Sequence, residues 1–539
     1  MATMRSEAGW RWLSGPYALM RRLRWVHLAP FLAMLTLSAW AFASPVGSSP
    51  DDDFHLASVW CALGGSEACT PGADEGTRVV SVAFADSRCY AQKPMESAAC
   101  LIDRGLALDG PSIETRRGNF DHRYPQVYYS VMRVFAGDDL AKSALVMRLF
   151  NAALFVGLAT ALAVLLPLSR RKTLLWGWLV SLVPLGMFLI PSNNPSGWAV
   201  TGVGTAFLAL LGWFESEGWR RWPLLGIYVV GVVMAAGARS DAAVYAAGAT
   251  LVVLLLTVVR SRAWLLRATL PLVGLVTAGL IFATVAPGGI SAESFNGSQS
   301  PQTAAEEMVV SPSDSGSDPT DVASEPTDGV ALMAYNALML PYLWTGAWGT
   351  WALGWLDTFL PVIVPWSAGA AFIAVAFAGL GLLDRRKAIA LGGVLAVLGG
   401  LPVYLLSRSG GSIGAFQPRY LLPLIVLFAL LVVTSPGGRD STRFTRAQTL
   451  TIMGALSIAN FVALQVNIRR YVTGADAQGF NLDAGAEWWW SELPVGPTTV
   501  WLIGAVSFAA LMATLWPELR RWISSPVELT SEVQVKSSA

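Results

Sequence analysis

Ser49-Pro50-Asp51-Asp52-Asp53-Phe54-His55 is the stretch around which this sequence is organised. It follows the first long apolar segment, Phe31 to Ser44, and it contains three consecutive carboxylates and one of the three histidines of the chain. Ionisable side chains at the mouth of a membrane helix cost free energy unless water, a partner cation or a substrate compensates them. We therefore interpret this acidic run as a candidate functional site at the end of a membrane span.

The composition identifies the class of protein. Of 539 residues, 54% are hydrophobic and only 14% are charged, and the mean hydropathy is +0.51. This is too apolar for a soluble domain of that length, so we expect a polytopic membrane protein. The net charge of +1 argues against nucleic acid as a partner, because binding to a phosphate backbone needs a basic surface.

Apolar runs long enough to cross a membrane recur along the chain. A spanning helix needs about 20 mostly apolar residues. Reading for that length predicts an all-α integral membrane protein with about twelve transmembrane helices. The predicted spans lie near 25–45, 143–167, 173–191, 195–214, 223–238, 242–259, 268–286, 361–383, 388–407, 419–434, 447–466 and 498–516.

The basic loops predict the orientation of the chain. Short clusters such as Arg170-Arg171-Lys172 and Arg385-Arg386-Lys387 all fall on one side when twelve spans are assumed. By the positive-inside rule that side is cytoplasmic. Residues 1–24 and 517–539 are then the cytoplasmic ends of a transmembrane domain over 25–516 in the cytoplasmic membrane. We interpret the first apolar segment as an uncleaved anchor and not a signal peptide, because the acidic run and many further spans follow it.

Two long loops face outward in this topology. The first, about 46–140, has room for short helices on the membrane surface, and we expect one over Gln126 to Phe135. The fourth outer loop, about 287–360, contains a stretch rich in Ser, Pro and Asp. We expect 296–328 to be flexible, because such a composition cannot bury a core. Trp344 to Pro361 is rich in Trp, Gly and Leu and predicts an interfacial or re-entrant element.

The cysteines are confined to the first outer loop, at Cys61, Cys69, Cys89 and Cys100. An even number in one non-cytoplasmic segment predicts two disulfides, for which three connectivities are open. Free buried thiols are the alternative. No Cys-x-x-Cys spacing occurs, which disfavours a metal site.

Several polar side chains fall at the outer ends of the predicted spans, where the positive-inside rule does not account for arginine. They include Asn194, Arg239, Arg419 and Tyr420. The planar fork of an arginine suits the oxygens of a phosphate or a carboxylate. Outward arginines beside an acidic rim therefore indicate a phosphorylated ligand and a group that must lose a proton. The alternatives are that Arg239 pairs with Asp241 and that Arg419 reaches lipid headgroups.

Other groups have structural interpretations. We expect Arg469-Arg470 to contact lipid headgroups and Trp488-Trp489-Trp490 to form an aromatic belt at the membrane interface. Aspartate is favoured at the start of a helix, and we expect Asp53 to cap a surface helix from Phe54 to Leu63. One cap leaves at least one carboxylate for a base, a metal or an arginine. Neighbouring like charges would raise the pKa of that carboxyl toward the task of a general base.

The long first outer loop that opens with acidic residues resembles the GT-C superfamily of polytopic glycosyltransferases, which use polyprenyl-phosphate-linked sugars. More narrowly, Pro50 to His55 is similar to the Pro-Asp-Glu-x-x-His motif of a bacterial integral-membrane family of unknown function that is grouped with GT-C folds. Later segments resemble motifs of that family in the same order: Tyr124-Pro125-Gln126-Val127-Tyr128-Tyr129, Asn194-Pro195, Gly354-Trp355-Leu356-Asp357 and Arg419-Tyr420-Leu421-Leu422-Pro423. The chain departs from the family at Asp52, where the motif has Glu, and at Ser196, where it has Asp.

The resemblance implies an inverting glycosyltransferase on the outer face of the membrane. Its donor would be a polyprenyl-phosphate sugar and its acceptor an envelope glycan or lipid. Asp51 or Asp52 would be the general base for the acceptor hydroxyl. His55 would orient that hydroxyl or assist its deprotonation. Arg419 and Arg239 would hold the leaving phosphate. The remaining candidate substrate-binding residues are Tyr420, His122, Tyr128 and Asn194.

Two other classes of function stay open. A transporter or flippase of lipid-linked sugars would also need outward arginines, although the internal repeats that are common in transporters are not visible here. A non-catalytic assembly factor for the envelope would need no carboxylate base. A divalent metal could bind at the acidic run. No second carboxylate cluster accompanies the run to complete such a site, so this question stays open.

Overall fold

The computed structural model describes residues 28–285, 329–381, 383–409, 411–435, 444–491 and 494–520. The predicted flexible stretch 296–328 and the N-terminal residues 1–24 lie outside this part of the chain, as does the tail after residue 520.

The described chain is mostly helical. The helices are α1 (Leu28–Phe42), α2 (Asp52–Cys61), α3 (Val82–Asp86), α4 (Cys100–Arg104), α5 (Gln126–Met132), α6 (Leu140–Leu165), α7 (Leu168–Leu182), α8 (Leu185–Leu189), α9 (Ser196–Glu215), α10 (Arg221–Ala238), α11 (Ser240–Thr257), α12 (Arg262–Val285), α13 (Gly329–Thr345), α14 (Ile363–Gly379), α15 (Arg385–Ser409), α16 (Pro418–Val433), α17 (Arg446–Val472) and α18 (Pro497–Arg520). The strands are β1 (Cys69–Pro71), β2 (Arg78–Ser81) and β3 (Ser112–Thr115).

Seven of the described helices are long and apolar enough to cross a membrane, namely α6, α9, α10, α11, α15, α17 and α18. Three shorter apolar helices, α1, α14 and α16, accompany them. Each of these helices overlaps a predicted span, so the expectation of a mostly helical chain with several apolar helices that could cross a membrane is confirmed. The number of twelve spans and the assignment of the two sides of the membrane stay predictions.

The predicted span 173–191 is not one continuous helix. α7 ends at Leu182 and α8 begins at Leu185, with Pro184 between them. A proline lacks the backbone N–H and its ring clashes with the preceding turn, so a helix ends or kinks there. The break places the short α8 beside a cleft, which Leu185 and Phe188 line.

α9 is the central helix of the bundle. Its apolar window is buried along the whole length, and it packs against α6, α7, α10, α11 and α16. A helix that is apolar on every face is covered by lipid or by other elements, and neighbouring helices cover α9 on every side. Small residues permit the closest approach, since a Cβ on Gly202 would lie 2.5 Å from the carbonyl oxygen of Gly231 in α10.

The segment between α1 and α6 forms a small subdomain, which we call the outer subdomain after the side of the membrane predicted for it. It contains α2 to α5 and an antiparallel sheet in the order β1-β2-β3, with Cys69 opposite Val80 and Arg78 opposite Thr115. The expectation of a purely α fold is wrong here. Strands of three or four residues are too short for an alternating pattern to be visible in the sequence. The helix expected from Gln126 is confirmed as α5, followed by a 3-10 turn to Phe135.

The two disulfides of the outer subdomain are local. Cys61 pairs with Cys69 and Cys89 pairs with Cys100, over sequence separations of 8 and 11 residues. The prediction of two disulfides is supported, and the structure selects one of the three connectivities. The first bridge ties the end of α2 to β1, so it holds the helix that carries the acidic run against the sheet.

A buried arginine, held by an ion pair within the bundle, ties the outer subdomain to the helix bundle. Arg470, at the end of α17, contacts Asp357 at 2.8 Å and donates to the carbonyl oxygens of Tyr90 and Glu96. Both charged side chains are almost completely buried. The expectation that Arg469-Arg470 contacts lipid headgroups is therefore wrong for Arg470, and Arg469 donates to the carbonyl oxygens of Gly479 and Asn481.

The tryptophan run also packs against the protein. Trp490 is buried and donates its indole N–H to the carbonyl oxygen of Phe42, while Trp488 donates to that of Val495. An aromatic belt exposed to lipid is therefore wrong for Trp490. In the predicted interfacial element, Trp348 is likewise buried and donates to the carbonyl oxygen of Val180.

Asp357→Asn should destabilise the protein by about 3–5 kcal/mol, because it leaves the buried Arg470 guanidinium without its carboxylate. Thermal unfolding of the purified protein should show a clearly lower midpoint. The matched control is Glu96→Gln, which removes an exposed carboxylate that pairs with Lys93 and should change the midpoint little. Equal midpoints for the two variants would contradict the anchoring role.

Candidate functional site

The backbone at the start of α2 separates the three aspartates. Asp51 occupies the N-cap position with φ 64° and ψ 19°, a left-handed conformation that is uncommon for a residue with a side chain. Its side chain makes no capping hydrogen bond. Asp52 and Asp53 lie in the first turn, so the expectation that Asp53 caps a helix starting at Phe54 is wrong. The cap residue directs its carboxylate away from the helix.

Asp51 faces an arginine of the bundle. One of its carboxylate oxygens accepts from Nη2 of Arg419 at 2.7 Å, and the other lies 3.5 Å from Nη2 of Arg117. The side chain of Asp51 is 14% exposed, against 3% for Asp53 and 0% for Asp52. Of the three carboxylates, Asp51 is therefore the one that a ligand can reach.

Asp53 is held within the outer subdomain. Its carboxylate accepts from Arg117, with one contact at 2.8 Å, and it lies 3.1 Å from Nε of Arg88. Two guanidinium groups satisfy a single buried carboxylate, which is the arrangement of a structural ion cluster. Asp53 therefore positions the loop that carries Arg117.

Asp52 is fully buried beneath the run. One oxygen accepts the backbone N–H of Ser49 at 3.2 Å and lies 3.6 Å from Arg148, while the other has no hydrogen-bond partner. Burial raises the pKa of this carboxyl from 3.8 to about 7, and Arg148 opposes the shift only in part. Asp52 can therefore hold a proton near neutral pH.

His55 lies on the buried side of α2 among aromatic rings. Its Nδ1 is 2.9 Å from the hydroxyl of Tyr129, and the rings of Phe54 and Tyr124 pack against it edge-on. Burial lowers the pKa of His55 to about 3, although Asp51 acts in the opposite direction. The imidazole is therefore neutral at neutral pH, which suits orientation of a neighbour by hydrogen bonding.

The predicted arginines meet at the start of α16. Arg419 contacts the hydroxyl of Tyr420 at 3.1 Å and the carbonyl oxygen of Pro50 at 3.1 Å. The guanidinium of Arg239 lies over the ring of Tyr420, 4.7 Å from its centre. Arg239 also forms a two-point ion pair with Asp241, at 2.9 and 3.1 Å. This pairing, weighed as an alternative from sequence, makes Arg239 less available to a ligand than Arg419.

The other predicted site residues have distinct positions. Asn194 donates to the carbonyl oxygen of Pro50 at 2.8 Å, so it holds the backbone at the start of the acidic run. Tyr128 is fully buried against the ring of Trp198. His122 is exposed and bonds to Gln126 at 2.8 Å. The structure thus brings Asn194 to the run and places Tyr128 in the supporting core, and no contact joins His122 to the acidic run.

An open cleft of about 330 Å³ adjoins the contact between Asp51 and Arg419. Its walls come from the acidic run, α8, the start of α16 and the segment with the Gly-Trp-Leu-Asp motif. Lining residues include Pro50, Phe188, Trp351, Gly354, Gln417 and Arg419. Three of the sequence motifs therefore contribute residues to one cleft. Among the residues that the structure describes, no group of three or more His, Cys, Asp or Glu side chains is placed to hold a metal ion.

Sequence reasoning missed several contributors. Arg88 and Arg117 lie in the first outer loop, where the rule that singled out Arg239 would also have selected them. Arg148 interrupts an apolar span, which is itself a signal of a functional or structural partner. It donates to the carbonyl oxygens of Ser44 and Pro45 at 2.6 and 2.7 Å. No sequence signal indicated the contact between Tyr129 and His55.

The pKa of Asp52 predicts a stability difference that depends on pH. Between 3.8 and about 7 the folded chain keeps a proton that the unfolded chain releases, so this group makes stability fall as pH rises. Asp52→Asn removes the titration. We expect the thermal midpoint of wild type to fall relative to that of Asp52→Asn across this window, and to stay parallel above it. The control, Asp103→Asn at an exposed position, should stay parallel to wild type throughout. Parallel curves for Asp52→Asn would contradict the buried titration.

The chain matches the model of a known protein family, and the matched residues include this site. Residues 34–428 match the family model described as "Predicted membrane protein (DUF2142)". The match begins within α1, includes the acidic run and its arginine partners, and ends within α16. Searches of curated proteins and of solved structures gave no match. Since the matched residues make up more than half of the chain, the protein belongs to this family of predicted membrane proteins.

Proposed function

We propose that this protein is a GT-C-like membrane glycosyltransferase. It transfers a sugar from a polyprenyl-phosphate donor to an acceptor of the cell envelope, on the outer face of the cytoplasmic membrane. The observation that carries the proposal is the contact between Asp51 and Arg419 at an open cleft, 2.7 Å between the carboxylate and the guanidinium. In this contact the candidate base, Asp51, lies beside Arg419, the side chain proposed to bind the donor phosphate.

The phosphate-binding role rests on Arg419. Its side chain is 5% exposed, and its Nε has no hydrogen-bond partner although the group is buried. A buried donor without an acceptor costs free energy, and a phosphate oxygen would satisfy it. The donor phosphodiester has two non-bridging oxygens that share one negative charge, and they can also compete with Asp51 for Nη2 of Arg419. Donor binding would therefore release the Asp51 carboxylate from its ion pair.

The released carboxylate is suited to act as general base. Asp51 would take the proton of the acceptor hydroxyl while that oxygen bonds to the anomeric carbon of the sugar. The bond between this carbon and the phosphate oxygen breaks at the same time, and its electron pair leaves with polyprenyl phosphate. The Arg419 guanidinium would stabilise the charge that develops on the leaving phosphate. A single displacement of this kind inverts the configuration at the anomeric carbon.

The surroundings support the geometry of this step. The hydroxyl of Tyr420 contacts Arg419, and neutral His55 packs against Tyr124, whose ring lies beside Arg239. These side chains can orient sugar or acceptor hydroxyls. Asn194 and Arg419 both hold the carbonyl oxygen of Pro50, which positions Asp51. Preorganisation of this kind reduces the cost of bringing the reacting groups together.

An apolar groove gives the polyprenyl chain a place to bind. It has a volume of about 930 Å³ and is lined by α1, α6, α7, α8 and α18. The short helix α8 connects it to the cleft, because Met187 lines the groove while Phe188 and Leu189 line the cleft. A donor with its phosphate at Arg419 would extend its isoprenoid chain past α8 into this groove.

Asp51→Asn should lower sugar transfer by about 10²–10⁴-fold, because the neutral amide cannot accept the acceptor proton. The assay follows the conversion of a panel of polyprenyl-phosphate sugars to polyprenyl phosphate by purified protein. The control is Asp103→Asn, an exposed carboxylate of the same subdomain, which should retain full activity. Full transfer by Asp51→Asn at wild-type expression would contradict the base assignment.

The same panel separates the proposal from the other classes of function. In vesicles that contain the protein and a labelled lipid-linked sugar, addition of acceptor should convert the labelled lipid to polyprenyl phosphate. A flippase would move the lipid across the vesicle membrane and leave its sugar in place. An assembly factor would do neither.

A further inference from the structure

A second polar cavity lies at the opposite end of the bundle from the acidic run. It has a volume of about 510 Å³, and its lining includes Arg170, Glu215, Asp384, Arg386, Lys387 and Ser435. α9 connects the two ends, since its first turn adjoins Asn194 beside Pro50 and its last residue is Glu215. A helix of 20 residues is about 30 Å long, so the two sites are separated by the thickness of a membrane core.

Arg170 is the buried cation of this cavity. Its side chain is 2% exposed, and its Nε and Nη2 donate to the two carboxylate oxygens of Glu215 at 2.7 and 2.5 Å. Its Nη1 is buried and has no hydrogen-bond partner. A buried guanidinium nitrogen without an acceptor is costly, so the cavity is expected to supply one.

The carboxylates that line the cavity already have partners. Glu215 is used by Arg170, and Asp384 accepts the backbone N–H of Lys387 at 2.7 Å as the cap of α15. Three cationic side chains, those of Arg170, Arg386 and Lys387, face these two acidic ones. The positive end of the α15 dipole adds to the same side. An anion of suitable size is therefore the complementary ligand.

We infer that this cavity binds a phosphate group, carried either by an anionic lipid headgroup or by free inorganic phosphate. Phosphate offers the several oxygens that a guanidinium fork and neighbouring donors need. The cavity lies where apolar helices end, which is the depth at which lipid headgroups are found. The inference does not depend on the proposed transferase activity, because no residue is shared with the site at Asp51.

The test uses the full chain in nanodiscs of phosphatidylcholine and compares two probes. Inorganic phosphate is titrated in one arm, and phosphatidylglycerol is added to the discs in the other. The thermal midpoint should rise in at least one arm, and the responding arm identifies the source of the phosphate. Arg386→Gln should lower the apparent affinity for that probe by about tenfold. Arg170→Gln should do the same if it folds.

The matched control is Arg385→Gln. Arg385 is the neighbour of Arg386, is exposed like it and carries the same charge, but it is not part of the cavity lining. It should retain the wild-type response. The inference is overturned if neither probe raises the midpoint, or if the response is the same in wild type and Arg386→Gln. An equal loss in Arg385→Gln and Arg386→Gln would also overturn it, since this would indicate diffuse attraction to surface charge.

Discussion

The contact between Arg419 and Asp51 is the interaction on which the candidate site depends. It joins residues 368 positions apart, one at the start of α16 and the other at the start of α2. Because both side chains are largely buried, the attraction is less screened than that of a surface pair. Through this contact the outer subdomain and the helix bundle share one site, and the bonds from Asn194 and Arg419 to the carbonyl oxygen of Pro50 hold the same two parts together.

The same contact explains the strained backbone at Asp51. A residue with a side chain in the left-handed region needs its surroundings to hold it there. Arg419 and Asn194 both bind the carbonyl oxygen of Pro50, and Arg419 also binds the side chain of Asp51. The strained backbone brings the carboxylate of Asp51 to Arg419, which lines the cleft, while Asp52 and Asp53 are directed into the protein. Three adjacent residues of one type thereby acquire three different environments.

Much of the fold could be predicted from the sequence, because long apolar runs leave few alternatives to membrane helices. α6, α9 and α17 follow from run length alone. The break between α7 and α8 was missed although Pro184 marks it, since the apolar run continues through the break. The small sheet was missed because its strands are too short to show a period.

The sequence allowed several residues of the site to be selected, but it did not allow the contacts between them to be predicted. The acidic run, Arg419 and Asn194 could be selected because polar groups at membrane ends need a reason to be there. Their partners could not be selected, since an ion pair across hundreds of residues leaves no trace in a single sequence. The different roles of Asp51, Asp52 and Asp53 depend on how deeply each is buried, which only the folded chain defines. For the same reason the roles of Arg117 and Arg148 were not visible.

We propose that a donor phosphate competes with Asp51 for Arg419. The most direct measurement is the affinity of purified Asp51→Asn for polyprenyl phosphate, compared with wild type. Removing the competing carboxylate frees Arg419, so we expect severalfold tighter binding by this variant and weaker binding by Arg419→Gln. Unchanged or weaker binding by Asp51→Asn would contradict the account.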